Sequence, residues 1–202
     1  MSKTTVVTPK FRMAFPSLIK PSLNLQNEEE FKVTALFPKD ADLAPLYDAA
    51  QIAINTKWGS KPPQGLKLPF KEGNEQGKTN SNGEFRVYQG FEDTITVNFK
   101  KKVKTKAGKE NEPPQVVMAN PNVKAEEKDA YAGRWAKAIV TAYAYDAAGN
   151  KGVTFFLNHV QILDHDSPLG NPSDVTLFNN EENPNQPSVK GFLDLGDGQI
   201  PF

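Results

Sequence analysis

The chain has 202 residues, with no cysteine, two histidines and a formal net charge of zero at pH 7. This composition excludes disulfides, thiolate metal sites and cysteine nucleophiles. A hydrophobic content of 38% is enough for one sizeable core. Neither a signal peptide nor an apolar stretch of membrane-spanning length is recognisable. We therefore expect a soluble, cytoplasmic protein with one domain and a tail.

The charge is distributed unevenly along the chain. Residues 1–163 contain 23 lysines and arginines against 17 aspartates and glutamates, a net charge of +6, whereas residues 164–202 contain one against seven, a net charge of −6. A basic body followed by an acidic tail favours a surface that binds polyanions. Chance fluctuation in a neutral protein is the alternative explanation.

Two strands are predicted near the start of the chain. Residues 10–15 alternate between apolar and polar positions, which indicates a half-buried strand, and Pro16 is expected to end it. Residues 31–37 repeat the pattern. Both segments therefore belong to a sheet with one buried face.

The apolar spacing then changes to that of a helix over residues 43–58. Asp42 can cap the beginning of this helix and Gly59 can close its end. Pro45 falls in the first turn, where its missing N–H group costs little. One helix is thus expected among the strands.

The middle of the chain contains long polar segments. Residues 60–83 show no sustained period and are expected to form a long surface loop. Residues 94–103 alternate as a strand that runs into a lysine-rich stretch, and 115–119 form a short strand. The lysine-rich stretch is either a solvated loop or a contact for a polyanion.

The strongest pattern covers residues 131–163, which read as two long strands joined by a tight turn. From 135 to 145 the even positions are small and apolar, so that face suits a packed interior. The odd face is expected to meet water or a ligand, unless its aromatic rings form a second packing layer beneath the helix. The odd positions are Trp135, Lys137, Ile139, Thr141, Tyr143 and Tyr145.

The turn decides which side chain of the second strand joins this odd face. Turn-forming residues lie between Asp146 and Gly152. If the turn has an even number of residues, Tyr143 pairs with Thr154 and Phe156 joins the exposed aromatic set. An odd number would place Phe155 there instead.

The usual parts of an enzyme are missing from the sequence. The two histidines, His159 and His165, are isolated, and the segment 164–166 reads as a solvated turn rather than a metal site. No phosphate-cradling glycine motif and no nucleophile elbow occurs. We therefore expect no enzymatic activity, no metal and no cofactor, although a magnesium nuclease that uses carboxylates remains an alternative.

The parts that are present are those of a protein that binds single-stranded nucleic acid. Bases stack on aromatic rings without regard to sequence, and a basic groove follows the phosphates. A mediator of strand annealing or recombination would use the same groove and is an alternative. The residues expected to contact phosphates are Arg12, Lys100, Lys102, Arg134 and Lys137, and those expected to stack on bases are Trp135, Tyr143, Tyr145 and Phe156.

Several segments, taken in order, resemble the phage single-stranded-DNA-binding proteins, which are distant relatives of the helix-destabilising proteins of T-odd coliphages. The most specific is YAYDAAGNKGV at residues 143–153; RMAFPSLIKP at 12–21 and PQVVMANPNV at 114–123 add to it. The resemblance implies an oligonucleotide/oligosaccharide-binding (OB) β-barrel, spanning residues 1–166, with a helix inserted between strands. It also implies that the protein coats single-stranded DNA during phage replication or recombination. A homodimer, or cooperative assembly of the protein on DNA, is one way in which it could do so.

Residues 167–202 are expected to be a flexible acidic tail, because they cannot bury enough apolar surface to fold. The end of the tail resembles the acidic tip of bacterial single-stranded-DNA-binding proteins, which also ends in Ile-Pro-Phe. The resemblance implies recruitment of replication or recombination proteins. The residues concerned are Asp194, Asp197, Ile200, Pro201 and Phe202.

Overall fold

The computed structural model describes residues 3–105, 107–147 and 149–170. These residues are mainly β, as predicted, with ten strands and one α-helix. The elements are β1 (Thr5–Val7), β2 (Phe11–Leu23), β3 (Glu29–Pro38), α1 (Ala44–Trp58), β4 (Phe70–Glu72), β5 (Gly77–Thr79), β6 (Phe85–Val87), β7 (Thr94–Lys102), β8 (Gln115–Val117), β9 (Trp135–Ala147) and β10 (Asn150–Ile162), with short 3₁₀ helices at Gly73–Glu75 and Glu127–Asp129.

Five long strands pair in a closed cycle. β2 pairs with β3, β3 with β7, and β9 with both β10 and β2, all in antiparallel fashion, while β7 and β10 are parallel. β1 extends the sheet from β9, and β8 extends it from β10. The cycle gives these strands one enclosed face and one outer face.

The enclosed face holds the core. Phe11 lies 5.4 Å from Phe37 and 5.8 Å from Phe99, and Phe99 lies 6.0 Å from Phe155, measured between ring centroids in edge-to-face pairs. All four rings are fully buried. Burial of a side chain of this size contributes about 1.5–3 kcal/mol, so this cluster is a major source of stability.

The helix follows the sequence prediction closely. It begins at Ala44, whose N–H donates to Asp42 Oδ1 at 3.0 Å. It ends before Gly59, which has φ of 65° and donates its N–H to Asn55 O at 2.8 Å. Within the described residues, no helix has both the length and the apolar character needed to cross a membrane.

Two predictions about strand limits are wrong. Pro16 does not end its strand, because β2 shifts register between Ala14 and Ser17 and continues to Leu23. A bulge accommodates a proline that lacks the N–H of a regular ladder. The expected loop at 60–83 contains two short strands, β4 and β5, which are too short to show a period in the sequence and form by pairing with β7 and β6.

Candidate nucleic-acid interface

The outer side of β9 carries the aromatic residues that the sequence analysis selected. Along β9 the small even positions are buried, while Tyr143 is 49% exposed. The helix packs in the same buried cluster as Ala138 and Ala142, on the small face. The alternative that the aromatic face packs beneath the helix is therefore wrong.

The register of the hairpin confirms the even count of the turn. Tyr143 pairs with Thr154, so Phe156 lies on the outer side and is 41% exposed. The rings of Tyr143 and Phe156 are 5.3 Å apart between centroids. Phe155 points into the core and is fully buried.

Lysines from two neighbouring strands continue this surface. Phe156 of β10 is in register with Lys100 of β7, and Lys100 is opposite Lys32 of β3. Residues in register project to the same side of a sheet. We call the surface formed by Lys32, Lys100, Tyr143 and Phe156 the open face.

The two lysines differ in their neighbours. Lys32 Nζ lies 3.7 Å from the carboxylate of Glu30, whereas Lys100 makes no ion pair with any residue that the structure describes. Lys32 was not among the predicted site residues, because only the pairing of β3 with β7 places it beside Lys100. Its position on the polar side of a predicted strand was the only signal available.

Lys102 lies two residues beyond Lys100 and is already paired. Its Nζ is 2.5 Å from Glu28 in the turn between β2 and β3. The hydrogen bond from Lys102 lowers the pKa of Glu28, and Asn24 adds a second hydrogen bond. Because both side chains are exposed, their charges offset each other but the ion pair does not hold either side chain firmly in place.

A second aromatic and basic group lies at the start of β9. It consists of Trp135 with Lys10, whose Nζ is 4.9 Å from the Trp135 ring centroid, and Arg12, which pairs with Trp135 in the sheet. The chain that leaves β10 crosses this group and brings Asp164 and Asp166 onto it. We call Lys10, Arg12 and Trp135 the covered cluster.

Hydrogen bonds and ion pairs fix this crossing. Trp135 Nε1 donates to Asp166 Oδ2 at 2.8 Å, and Arg12 Nε lies 3.4 Å from the same oxygen. Lys10 Nζ lies 2.5 Å from Asp164 Oδ2. Both cations and the indole N–H of the covered cluster are therefore engaged by carboxylates of the chain itself.

The same contacts shift the ionisation of the two carboxyl groups. The hydrogen bond from Lys10 is the main cause that lowers the pKa of Asp164. The pKa of Asp166 is lowered first by the backbone N–H of Ser167 and next by the Trp135 indole. Both groups thus remain charged near neutral pH, and the covered cluster stays neutralised.

Arg134 is inside the protein, contrary to the prediction that it contacts phosphates. Its side chain is 3% exposed, and Nη1 donates to the backbone oxygen of Asp129 at 3.2 Å and to its carboxylate at 3.4 Å. Nη2 donates to Leu163 O at 3.4 Å. In this position the guanidinium is not available to a ligand at the surface.

Lys137 and Tyr145 also lie on the outer side of β9, but each side chain is half-buried. Lys137 pairs in the sheet with Gln161. Tyr145 lies across Gly152, since its hydroxyl is 2.9 Å from where a Cβ of Gly152 would be. Tyr145 therefore fills the space above a glycine, which leaves less of its ring for a ligand than Tyr143 offers.

The described part of the chain contains no group of three or more histidine, cysteine, aspartate or glutamate residues that could hold a metal ion. His159 Nδ1 accepts the Gln115 N–H at 3.3 Å, and His165 Nδ1 lies 3.1 Å from the hydroxyl of Tyr131. Each histidine therefore contacts another residue of the fold. The expected partner-binding residues between 194 and 202 lie outside the described residues.

Solved structures show where this fold occurs elsewhere. The single-stranded DNA-binding protein from bacteriophage Enc34 in complex with ssDNA is similar with a TM-score of 0.63 and 16% identity, over 83% of this chain and 90% of that chain. A second structure of the single-stranded DNA-binding protein from bacteriophage Enc34 gives a TM-score of 0.61 and 18% identity, over 86% of this chain and 88% of that chain. gp2.5, a single-stranded DNA-binding protein encoded by bacteriophage T7, gives 0.54 and 17%, over 89% and 96%.

The family comparison agrees with the similarity in fold. No curated protein sequence matches the chain. The model of the family described as Enterobacter phage Enc34, ssDNA-binding protein matches residues 4–186. The chain therefore belongs to the ssDNA-binding protein family of Enterobacter phage Enc34.

Proposed function

We propose that this protein binds single-stranded DNA without sequence specificity and that the open face is its principal contact surface. The observation that carries the proposal is the register that brings the adjacent rings of Tyr143 and Phe156, tilted by 39° to each other, beside Lys100. Family membership and the fold shared with phage single-stranded-DNA-binding proteins support it. The function requires no catalytic step.

The chemistry of the open face suits an unpaired strand. Tyr143 and Phe156 offer ring surface on which bases can stack, each contact contributing about 1–3 kcal/mol. Lys100 and Lys32 are placed to meet phosphates between stacked bases. A duplex hides the faces of its bases, so it would engage only the lysines.

We also propose that the closed cycle of five strands is an OB barrel, with α1 as the helix inserted between β3 and β7. Barrel closure would hold the strands of the open face in fixed register. Such preorganisation lowers the entropic cost of ordering the site when DNA binds.

We further propose that the protein acts in the host cytoplasm, where it coats single-stranded DNA during phage replication or recombination.

The experiment is a salt titration of labelled oligo-dT and of a duplex of the same length against the intact protein. We expect tighter binding to oligo-dT, with log affinity falling linearly with log salt at roughly 0.7 for each phosphate contacted. Equal affinity for the duplex, or no binding to oligo-dT at low salt, would contradict the proposal.

The tail proposal is separate. Residues 167–202 would form an acidic extension, with the final segment binding replication or recombination proteins. Aspartate carboxylates close to the phenyl ring of Phe202 suit a pocket with a basic rim and an apolar floor. Deletion of residues 191–202 is expected to keep or raise the affinity for DNA and to abolish capture of the partner; loss of DNA binding would place the tail in the binding site.

A further inference from the structure

Phe15 has an unusual backbone conformation. Its φ is 48°, in the left-handed region that a bulky residue before proline rarely adopts. It lies in the β2 bulge, where the register shifts between Ala14 and Ser17. Bulges re-aim side chains near functional sites, and strain of this kind persists only when the surrounding structure holds it.

The bulge turns the Phe15 ring to the outer side of the sheet. The ring is 54% exposed and is supported from behind by Tyr88 at 5.5 Å and Phe91 at 5.8 Å, measured between centroids. Phe91 is itself buried in a small cluster with Ala14 and Leu36. Phe15 thus presents an exposed aromatic ring that is held in place by the packed side chains behind it.

A cavity of about 320 Å³ lies between this ring and strands β3 and β7. Thr34 and Asn98 are opposite each other across its lining, and Thr34 Oγ1 donates to Asn98 Oδ1 at 2.7 Å. The Asn98 amide nitrogen has no hydrogen-bond partner among the described residues, so its two N–H groups remain available.

Charges at the cavity favour a phosphate at one position. Lys32, Lys100 and Glu30 all contribute to the lining. Glu30 lies 3.7 Å from Lys32 and partly neutralises it. Lys100 is therefore the better phosphate contact, and it also belongs to the open face.

We propose that this cavity is a nucleotide subsite that takes one base stacked on Phe15, with a base carbonyl on the Asn98 amide and a phosphate on Lys100. The subsite favours thymine over adenine, because a thymine carbonyl needs only an N–H donor from Asn98. The two-bond pairing of an asparagine with adenine also uses Oδ1, and Asn98 Oδ1 already accepts the Thr34 hydroxyl. The inference rests on the proposed function and adds a base preference to it.

The stacking part is tested with Phe15→Leu in the full chain. We expect its affinity for oligo-dT to fall about fivefold or more, because an aromatic platform is lost. Phe15→Tyr keeps the ring and is expected to retain the affinity. The matched control is Phe85→Leu, since Phe85 is 51% exposed on β6 and does not line the cavity.

The preference is tested with Asn98→Ala by measuring affinity for oligo-dT and oligo-dA of equal length. Loss of one hydrogen bond is expected to lower the dT to dA affinity ratio about threefold to tenfold relative to the unaltered protein. Differences in stacking between the two strands are present in both proteins, so the comparison isolates Asn98. Thermal unfolding of each variant checks that its fold is retained.

The measurements test stacking on Phe15, the base preference and DNA binding separately. An unchanged affinity of Phe15→Leu, or an equal loss in Phe15→Tyr and Phe15→Leu, would overturn the stacking platform. An unchanged affinity ratio in Asn98→Ala would overturn the base preference while leaving DNA binding intact. Failure of the unaltered protein to bind either oligonucleotide would overturn the proposed function itself.

Discussion

The open face and the covered cluster each combine an aromatic residue on the outer side of β9 with basic residues from neighbouring segments. Trp135 and Tyr143 are eight residues apart on β9, roughly 26 Å along an extended strand. At Tyr143 the neighbouring strands supply Phe156 and Lys100, and Lys100 has no ion-pair partner among the described residues. At Trp135 the chain after β10 supplies two carboxylates. The two regions therefore differ because of the segments that lie next to β9, and not because of the residues of β9 itself.

The difference has an energetic meaning for an incoming phosphate. At the open face, the phosphate replaces water and salt ions around Lys100. At the covered cluster, it must first displace Asp164 and Asp166 from cations that they already compensate. We therefore expect the open face to dominate DNA binding, and the covered cluster to contribute little while those carboxylates stay in place.

The largest expected effect comes from removing both rings of the open face. Tyr143→Ala with Phe156→Ala should lower oligo-dT affinity about 30-fold or more, because two stacking contacts of about 1–3 kcal/mol are lost. Trp135→Ala should change it less than about threefold. Fluorescence anisotropy with a labelled oligonucleotide measures both affinities, and the control is Tyr47→Ala on the helix, where Tyr47 is 48% exposed. A larger loss in Trp135→Ala would reverse the assignment.

A smaller effect is expected from uncovering the second region. Asp164→Asn with Asp166→Asn removes two charges but keeps oxygens that can accept the Trp135 hydrogen bond, so oligo-dT affinity should rise a few-fold. The matched control is Asp40→Asn with Asp48→Asn, which changes the net charge equally at two exposed positions. An equal rise in the control would attribute the effect to net charge alone.

Sequence predicted well where the determining information is local. The alternation along β9 identified its outer face, whereas the sequence left the choice between Phe155 and Phe156 to the parity of the turn, which the register of the hairpin decides in favour of Phe156. The helix was predictable because Asp42, which accepts the N–H of its first residue, and Gly59, at its end, are both adjacent to it. Periodicity and capping depend only on neighbouring residues, so they can be read without a fold.

Features that depend on distant pairing could not be predicted. Lys32 joins Lys100 only through the register of β3 and β7, and Phe15 turns outward only because β2 bulges. Arg134 looked like a surface cation, but Asp129 and backbone carbonyls bind it inside. Asp166 covers Trp135 from 31 residues further along the chain, which no periodicity reveals.

The most direct test of the account is photocrosslinking of the intact protein to an oligo-dT in which single thymines are replaced by 5-iodouracil, followed by identification of the joined residues. We expect crosslinks at Tyr143 and Phe156. Crosslinks confined to Trp135 would contradict the assignment of DNA binding to the open face.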